Sequence, residues 1–345
     1  MSRITAVELS TSGIRLVPVL SCLGNIQMTN VLITGAAGFI GFALADALSK
    51  RSDTNVFLVD NFVRGERDEA YKELCARDSV VSFDLDLTDS NAVRELPESI
   101  DTIFHMAALN GTQNFYERPY DVVRCSTLPT FHLMDRYGSS ADFRRFVYAG
   151  SSEAYAGTVS TFDWPVPTAE DVPLCISDPS NLRWSYGGSK LHGEILVTAA
   201  CHQYKKDYTI IRYHNAYGPR MGDKHVVPDF LERMKSGVYS LYGHSDTRSF
   251  IYIDDVVRAT LMLAECADAA NETVNVGSEN EIQIVEIGKM LVELAGIEAE
   301  IELHDSPKGS VARRSPDTTK LKKLVGFTEE TTLADGLRRT MDFYL

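Results

Sequence analysis

Two side chains four residues apart stand out as able to move protons. Tyr186 and Lys190, in the stretch YGGSK, share one face if the segment running on through Leu191 and Glu194 is helical. An ammonium beside a phenol favours the tyrosinate and lowers the phenol's pKa toward that of a useful general base. Upstream stands SSEAY, and the Ser151 hydroxyl can hydrogen-bond the same substrate oxygen as Tyr186. Ser152 and Glu153 complete this candidate catalytic set, and a partly buried Glu153 beside a carbon acid could serve as a base. Taken alone, a Tyr and a Lys at this spacing describe many surface helices. Their meaning depends on the elements that position them.

Those elements begin at Val31-Leu32-Ile33-Thr34, a continuous apolar strand of the kind buried on both faces of a parallel sheet. It runs straight into GAAGFIG, Gly35 to Gly41, and then into an amphipathic pattern reaching about Lys50. In such a turn Gly35 permits the tight bend, Gly38 lets the backbone approach a pyrophosphate, and Gly41 lets the helix pack on the strand. Phe39 and Ile40 belong to the same cofactor-binding turn. Asp60 stands 25 residues after Gly35, at the end of a strand expected over Asn55 to Val59, where it can accept from ribose hydroxyls. Its charge repels a 2′-phosphate and so favours NAD over NADP, a preference that Arg64 softens. A bound nicotinamide cation would add to the pull of Lys190 on Tyr186, and Lys190 can also hydrogen-bond the nicotinamide ribose. Further strands are expected over Val80 to Phe83, Asp101 to Phe104 and Arg145 to Ala149. Strands alternating with helices at this spacing mean βαβ units, an α/β chain with a Rossmann-type doubly wound parallel sheet.

Composition agrees with a soluble globular protein of this size. The 345 residues carry 34 Lys+Arg against 48 Asp+Glu, a net charge of −14, with 44% hydrophobic residues. These values exclude a disordered chain, a collagen and a disulfide miniprotein, and they argue against nucleic acid or a membrane surface as partner. Cys22, Cys75, Cys125, Cys175, Cys201 and Cys266 are scattered, with no CxxC pair and no metal-ligand spacing, which reads as free thiols in the cytoplasm. No apolar run approaches the roughly 20 residues of a membrane helix. Residues 1–27 read as a poorly ordered extension, with Met28 as the natural start. Residues 28–210 are expected to form mainly the NAD-binding unit and 211–345 mainly a smaller α/β substrate lobe, with elements interleaved between the two.

From about Thr29 to Leu345 the chain resembles the extended short-chain dehydrogenase/reductases, within them the nucleotide-sugar epimerase/dehydratase family. Beyond GAAGFIG, SSEAY and YGGSK, the pair Asp86-Leu87 resembles the family's adenine contact. His105-Met106-Ala107-Ala108 resembles its HxAA element, assigning Ala107 and Ala108 to the cofactor. Arg212 to Pro219 is similar to RxxNxYGP, Thr247 to Asp255 to RxFxYVDD, and Arg313-Arg314-Ser315-Pro316-Asp317 to the closing RRxxD stretch. The resemblance implies NAD as cofactor, a nucleoside diphosphate-sugar as substrate, and a homodimer packed through two helices. In that frame Asn215 can donate to a phosphate oxygen, while Arg248 and one of Arg313 or Arg314 clamp the diphosphate with bidentate geometry. His214 is expected to be packed rather than catalytic, and Arg183 and Trp184 either wall the sugar site or pack.

The resemblance further implies a shared first step, in which tyrosinate takes a sugar hydroxyl proton while hydride passes to NAD. Epimerases then return hydride to the opposite face of the ketone, dehydratases expel the C6 hydroxyl, and decarboxylases lose CO2 from a 4-keto uronic acid. Glu153 stands where the resembling dehydratases and uronate decarboxylases carry a glutamate, and Asn114 to Pro119 resembles the decarboxylase loop. Dehydration or decarboxylation assisted by Glu153 is therefore expected, with a 4-epimerase as the alternative. Ser152 replaces the dehydratases' usual Asp, which weakens the dehydration reading. Ser126-Thr127-Leu128-Pro129-Thr130 replaces NxxGT, and Pro129 is expected to change where the following helix starts. A non-catalytic dinucleotide sensor would be expected to lack the Tyr or the Lys, and a simple ketone reductase would not need Asn215 and Arg248.

Overall fold

A computed structural model of the chain describes residues 28–222, 225–306 and 313–345. The extension expected over residues 1–27 lies outside the described residues. In chain order the first elements are β1 (Thr29–Thr34), α1 (Phe39–Leu48), β2 (Thr54–Asp60), α2 (Glu69–Cys75), β3 (Val80–Asp84), β4 (Thr102–His105), α3 (Thr112–Glu117), α4 (Pro119–Tyr137), β5 (Arg145–Ser151), α5 (Ala156–Phe162), α6 (Trp184–Tyr204) and β6 (Asp207–Tyr213). There follow β7 (Ala216–Tyr217), α7 (Val226–Lys235), β8 (Ser240–Tyr242), β9 (Thr247–Ser249), β10 (Ile251–Tyr252), α8 (Ile253–Glu265), β11 (Glu272–Val276), β12 (Glu281–Gln283), α9 (Ile284–Leu294), β13 (Glu302–His304), β14 (Arg313–Arg314), α10 (Thr319–Val325) and α11 (Leu333–Tyr344).

Successive residues of the apolar strands enter opposite cores, as the period of a strand requires. Val31, Ile33, Phe104, Val147 and Ile211 join one core with Leu44, Ala45 and Leu48 of α1 and Val256 and Ala259 of α8. Leu32, Ile103, Phe146, Tyr148 and Ile210 join the other with Leu133, Met134 and Tyr137 of α4 and Val197 and Cys201 of α6. The sheet between them is parallel throughout and ordered β11-β6-β5-β4-β1-β2-β3, the doubly wound arrangement with its reversal beside β1. That crevice lies where β1 and β4 end, next to the glycine turn. The C-terminal part of the chain contributes short sheets, β12-β9-β14 and β13-β8, packed with α7, α9 and α11.

Strand and helix limits differ from the expectation by a residue or two at most ends. Helix α1 stops at Leu48, where the Ser49 N–H closes the last turn on Ala45. Pro129 corrects the expectation more substantially. It starts no helix: α4 begins at Pro119, whose fixed φ suits a first helical position, and runs through Pro129 in its interior. No helix among the described residues is long and apolar enough to cross a membrane.

Candidate active site

The chain leaves β1 through Gly35, whose φ of +66° is left-handed and whose missing Cβ would lie 2.8 Å from the Ala107 backbone. A Cβ on Gly41 would meet the Gly35 carbonyl oxygen at 2.1 Å, so only glycine lets α1 sit this close to the turn. Gly38 is less confined, 3.1 Å from the same oxygen. The carboxylate of Asp60, at the end of β2, accepts from the Ala37 N–H at 2.9 Å and the Phe62 N–H at 2.8 Å. Burial raises its pKa, and these backbone donors act the other way. Beneath the turn, His105 bonds the hydroxyls of Thr34 at 2.7 Å and Thr130 at 3.0 Å, pinning β1 and β4 to α4. Burial, followed by the charge of Lys190, drives His105 down to about 3, so it is neutral. Gly35, Gly38, Phe39, Ile40, Gly41, Asp60, Asp86, Leu87, Ala107 and Ala108 all line one cavity. A glycine cradle that any Cβ would fill, opening on a helix N-terminus with an acid beside it, fits the pyrophosphate and ribose of a dinucleotide.

That cavity holds about 1170 Å3 and runs without interruption to the C-terminal end of β5, room for a dinucleotide together with a second ligand. Ser151 ends β5 and its hydroxyl accepts from the Glu153 N–H at 3.2 Å, opening the 3-10 turn Ser152–Tyr155. Tyr186 and Lys190 occupy successive turns of α6, both buried. Lys190 directs its ammonium to the Ala149 carbonyl at 2.8 Å, and burial lowers it to about 8 against the pull of Glu194. The expectation of a lowered Tyr186 pKa is overturned in the protein by itself. Burial pushes the phenol up to about 12, the Ser151 hydroxyl pulls it down, Glu153 pushes it up and Arg64 pulls it down. Lys190 lies 5.9 Å from the centre of the Tyr186 ring and is engaged elsewhere, so desolvation wins.

Glu153 sits between two guanidiniums, Arg314 at 2.8 Å and Arg183 at 3.3 Å. Burial alone would raise its pKa; Arg314, then Arg183, and also Arg248 outweigh burial and hold the carboxyl below its ordinary range. Strand β14 pairs in parallel with β9, matching Arg314 with Arg248 and Arg313 with Thr247. Alternation along β14 then sends the two arginines to opposite sides. Arg314 lines the cavity with Arg248, whereas Arg313 turns away to an ion pair with Glu281 at 2.8 Å. Burial, then the charge of Arg314, lowers Arg248 to about 10, and Asp246 lies 3.4 Å from it. Asn215 also lines the cavity, its amide donating to the Ser249 carbonyl at 2.9 Å.

The candidate residues thus converge with the exception of Arg313. Among the cavity residues with no role assigned from sequence are Phe115, stacked on Tyr186; Arg220, paired with Asp68; and Tyr344 near the chain end. Arg220 carried a visible signal, directly following YGP, and Phe115 lies inside the Asn114 to Pro119 stretch. His214 is buried with Nε2 at 3.2 Å from the Asn275 Oδ1, a packed histidine as expected. Among the described residues no group of three or more His, Cys, Asp or Glu could hold a metal ion.

Residues 31–277 match the NAD dependent epimerase/dehydratase family. A UDP-N-acetyl-alpha-D-glucosaminuronate decarboxylase of Bacillus cytotoxicus is 30% identical over 325 residues, 91% of this chain and 97% of that one. A UDP-glucose 4-epimerase of Mycolicibacterium smegmatis is 28% identical over 319 residues, 91% of this chain and 97% of that one. Among solved structures, MoeE5 in complex with UDP-glucuronic acid and NAD superposes with a TM-score of 0.77 at 28% identity, covering 91% of this chain and 98% of that one.

Proposed function

Because the chain belongs to the NAD dependent epimerase/dehydratase family, we propose that it oxidises a nucleoside diphosphate-uronate at C4 and then releases its carboxyl group as CO2. NAD held by the glycine turn and Asp60 would supply an acceptor for the C4 hydride and a donor for its return. Tyr186 accepts the C4 hydroxyl proton, Ser151 bonds the same oxygen, and Lys190 orients the nicotinamide ribose. With the C4 carbonyl formed, the C5–C6 bond breaks, its electron pair enters the ketone as an enolate, and a proton added at C5 completes the step.

The single observation that carries this reading is the pairing of Glu153 with both Arg183 and Arg314 beside Tyr186. A carboxylate held ionised below its ordinary range is a weak base for the C5 proton, which disfavours dehydration. Two guanidiniums facing one carboxylate suit the uronate group of a substrate, which bidentate arginines recognise. Glu153 in this reading holds the arginines and abstracts no proton. Asn215 and Arg248 serve the diphosphate, and the names of the relatives support uridine as the base. The same cationic pair would also suit 4-epimerisation of a uronate, which is the second reading.

Two further assignments belong to this proposal. A homodimer through α4 and α6 is supported by their mutual packing and by exposed apolar residues, Tyr120, Val123 and Phe131 on α4 and Ile195 on α6. A cytoplasmic location is supported by five unpaired cysteines among the described residues. The test is incubation of the NAD-loaded protein with UDP-glucuronate, UDP-N-acetylglucosaminuronate and UDP-glucose, followed by mass spectrometry. Loss of CO2 from a uronate is the expected result. Unchanged mass with inverted C4 selects epimerisation, loss of water selects dehydration, and turnover of UDP-glucose alone rejects the uronate reading.

A further inference from the structure

The catalytic tyrosine does not belong to either main core. Tyr186 sits in a small separate apolar cluster with Leu109, Phe115 and Val122, against which Ala108 and Cys125 pack. Within it the rings of Phe115 and Tyr186 are stacked, centroids 5.1 Å apart and planes 10° from parallel. Both are 7% exposed. The segment that delivers Phe115 is built to hold it there. Gly111 turns the chain at φ +116°, the Asn114 amide donates to the Asn110 carbonyl at 2.9 Å, and the Ser185 hydroxyl donates to the Phe115 carbonyl at 3.3 Å. Phe115 thus touches α6 twice, by its ring at Tyr186 and by its carbonyl at Ser185.

We propose that Phe115 is a positioning residue for the catalytic tyrosine: its ring fixes the plane of Tyr186 and keeps water from one face of the phenol. This rests on the reading of Tyr186 as the base. An offset aromatic stack restricts ring rotation at little entropic cost, and a phenolate deprived of water on one face costs more to form. The groups that also bear on the Tyr186 proton come from every neighbouring element: Ser151 on β5, Glu153 in the turn after it, Arg64 after β2, Lys190 on α6, Tyr148 on β5 and Cys125 on α4. None of them lies on α3, so a change at position 115 alters shielding and orientation without removing a charge.

The test compares Phe115→Ala with Phe115→Tyr and Phe115→Leu in the NAD-loaded protein. Tyrosinate absorbance is titrated in each, with the same background carrying Tyr186→Phe subtracted, and the pH profile of kcat is recorded alongside NAD affinity. Phe115→Ala should bring the Tyr186 titration down by about one pH unit and lower the maximal kcat by about tenfold or more, with NAD affinity unchanged. Phe115→Tyr should restore both, and Phe115→Leu should restore the titration more than the rate, because it shields without stacking. An unmoved Tyr186 titration in Phe115→Ala overturns the proposal, as does equal restoration of the rate by Leu and Tyr. Should Phe115→Ala fail to fold, the Leu-against-Tyr comparison decides on its own. A titration that moves while the pH profile of kcat does not shows that Phe115 shields Tyr186 but rejects Tyr186 as the base, and with it the catalytic role proposed for Phe115.

Discussion

Arg314, in a two-residue strand near the chain end, meets Glu153 at 2.8 Å just beyond the end of β5. Arg183 closes the other side of the same carboxylate, so Glu153 is held in place by residues from two distant parts of the chain. If these arginines receive a uronate, removing one should discriminate among substrates. Arg314→Leu is expected to raise KM for UDP-glucuronate by about 10- to 100-fold, the worth of one or two charged hydrogen bonds. KM for a neutral nucleotide-hexose, measured as competitive inhibition, should change by less than about threefold. Equal losses for both sugars would put Arg314 on the diphosphate instead.

Glycine placement makes a prediction that separates folding from binding. Gly41→Ala puts a methyl 2.1 Å from the Gly35 carbonyl oxygen, and backbone on both sides cannot yield. Thermal unfolding of this variant should fall by several degrees, and NAD affinity by about a hundredfold or more, since the phosphate cradle itself must open. Gly38→Ala meets the same oxygen at 3.1 Å and should fold at nearly the parent temperature while still weakening NAD. Calorimetric NAD titration beside the melts checks both.

These two cases also mark how far the sequence was readable. The strand, glycine turn, helix and acid of the nucleotide half are contiguous, and their periodicities are local, so β1, α1 and β2 emerge with limits off by a residue or two. Tyr186 and Lys190 are one helical turn apart and likewise legible. Arg313 and Arg314 are adjacent and chemically identical, and only the pairing of β14 with β9 decides which faces the cavity. Phe115 lies in a mostly polar stretch, and no spacing marks which ring will cover Tyr186. The proton affinity of Tyr186 depended on how deeply α3, α4 and α6 bury it, a quantity set by packing between segments far apart in sequence.

Arg212 and Glu194 form a buried bidentate pair, Nε to Oε1 at 3.0 Å and Nη2 to Oε2 at 2.7 Å, with Arg212 also donating to the Tyr155 hydroxyl at 2.7 Å. Both side chains are under a tenth exposed. Arg212→Met strands the glutamate and should cost about 3–5 kcal/mol in urea unfolding, whereas the double variant Arg212→Met, Glu194→Leu should recover most of that loss. A double variant no better than the single one would show that the Arg212 bond to Tyr155 matters more than its charge pair.

Acid should destabilise the protein through two histidines that cannot accept a proton where they are. Burial, then the charge of Lys190, holds His105 at about 3. Burial, together with the charges of Arg314 and Arg212 and against the bond to Asn275, holds His214 at about 3. In the unfolded chain each returns toward 6.5, so between about 6.5 and 3 the unfolded state binds protons that the folded state refuses. Stability therefore falls as pH falls through that window, by up to about 1.4 kcal/mol per pH unit for each histidine. Depressed carboxyls such as Glu153 have the same sign but act only below their ordinary value of 4.5. Asp60, Glu170 and Glu329, raised by burial, oppose the trend near the carboxylate range. The histidine contribution is isolated by comparing urea unfolding of the parent with the His105→Asn, His214→Asn double variant from neutral pH down to about 4.5. The variant should be less stable at neutral pH, having lost the bonds to Thr34, Thr130 and Asn275, yet its stability should decline less steeply with acid. Parallel slopes would mean that both imidazoles reach solvent and titrate in the folded protein.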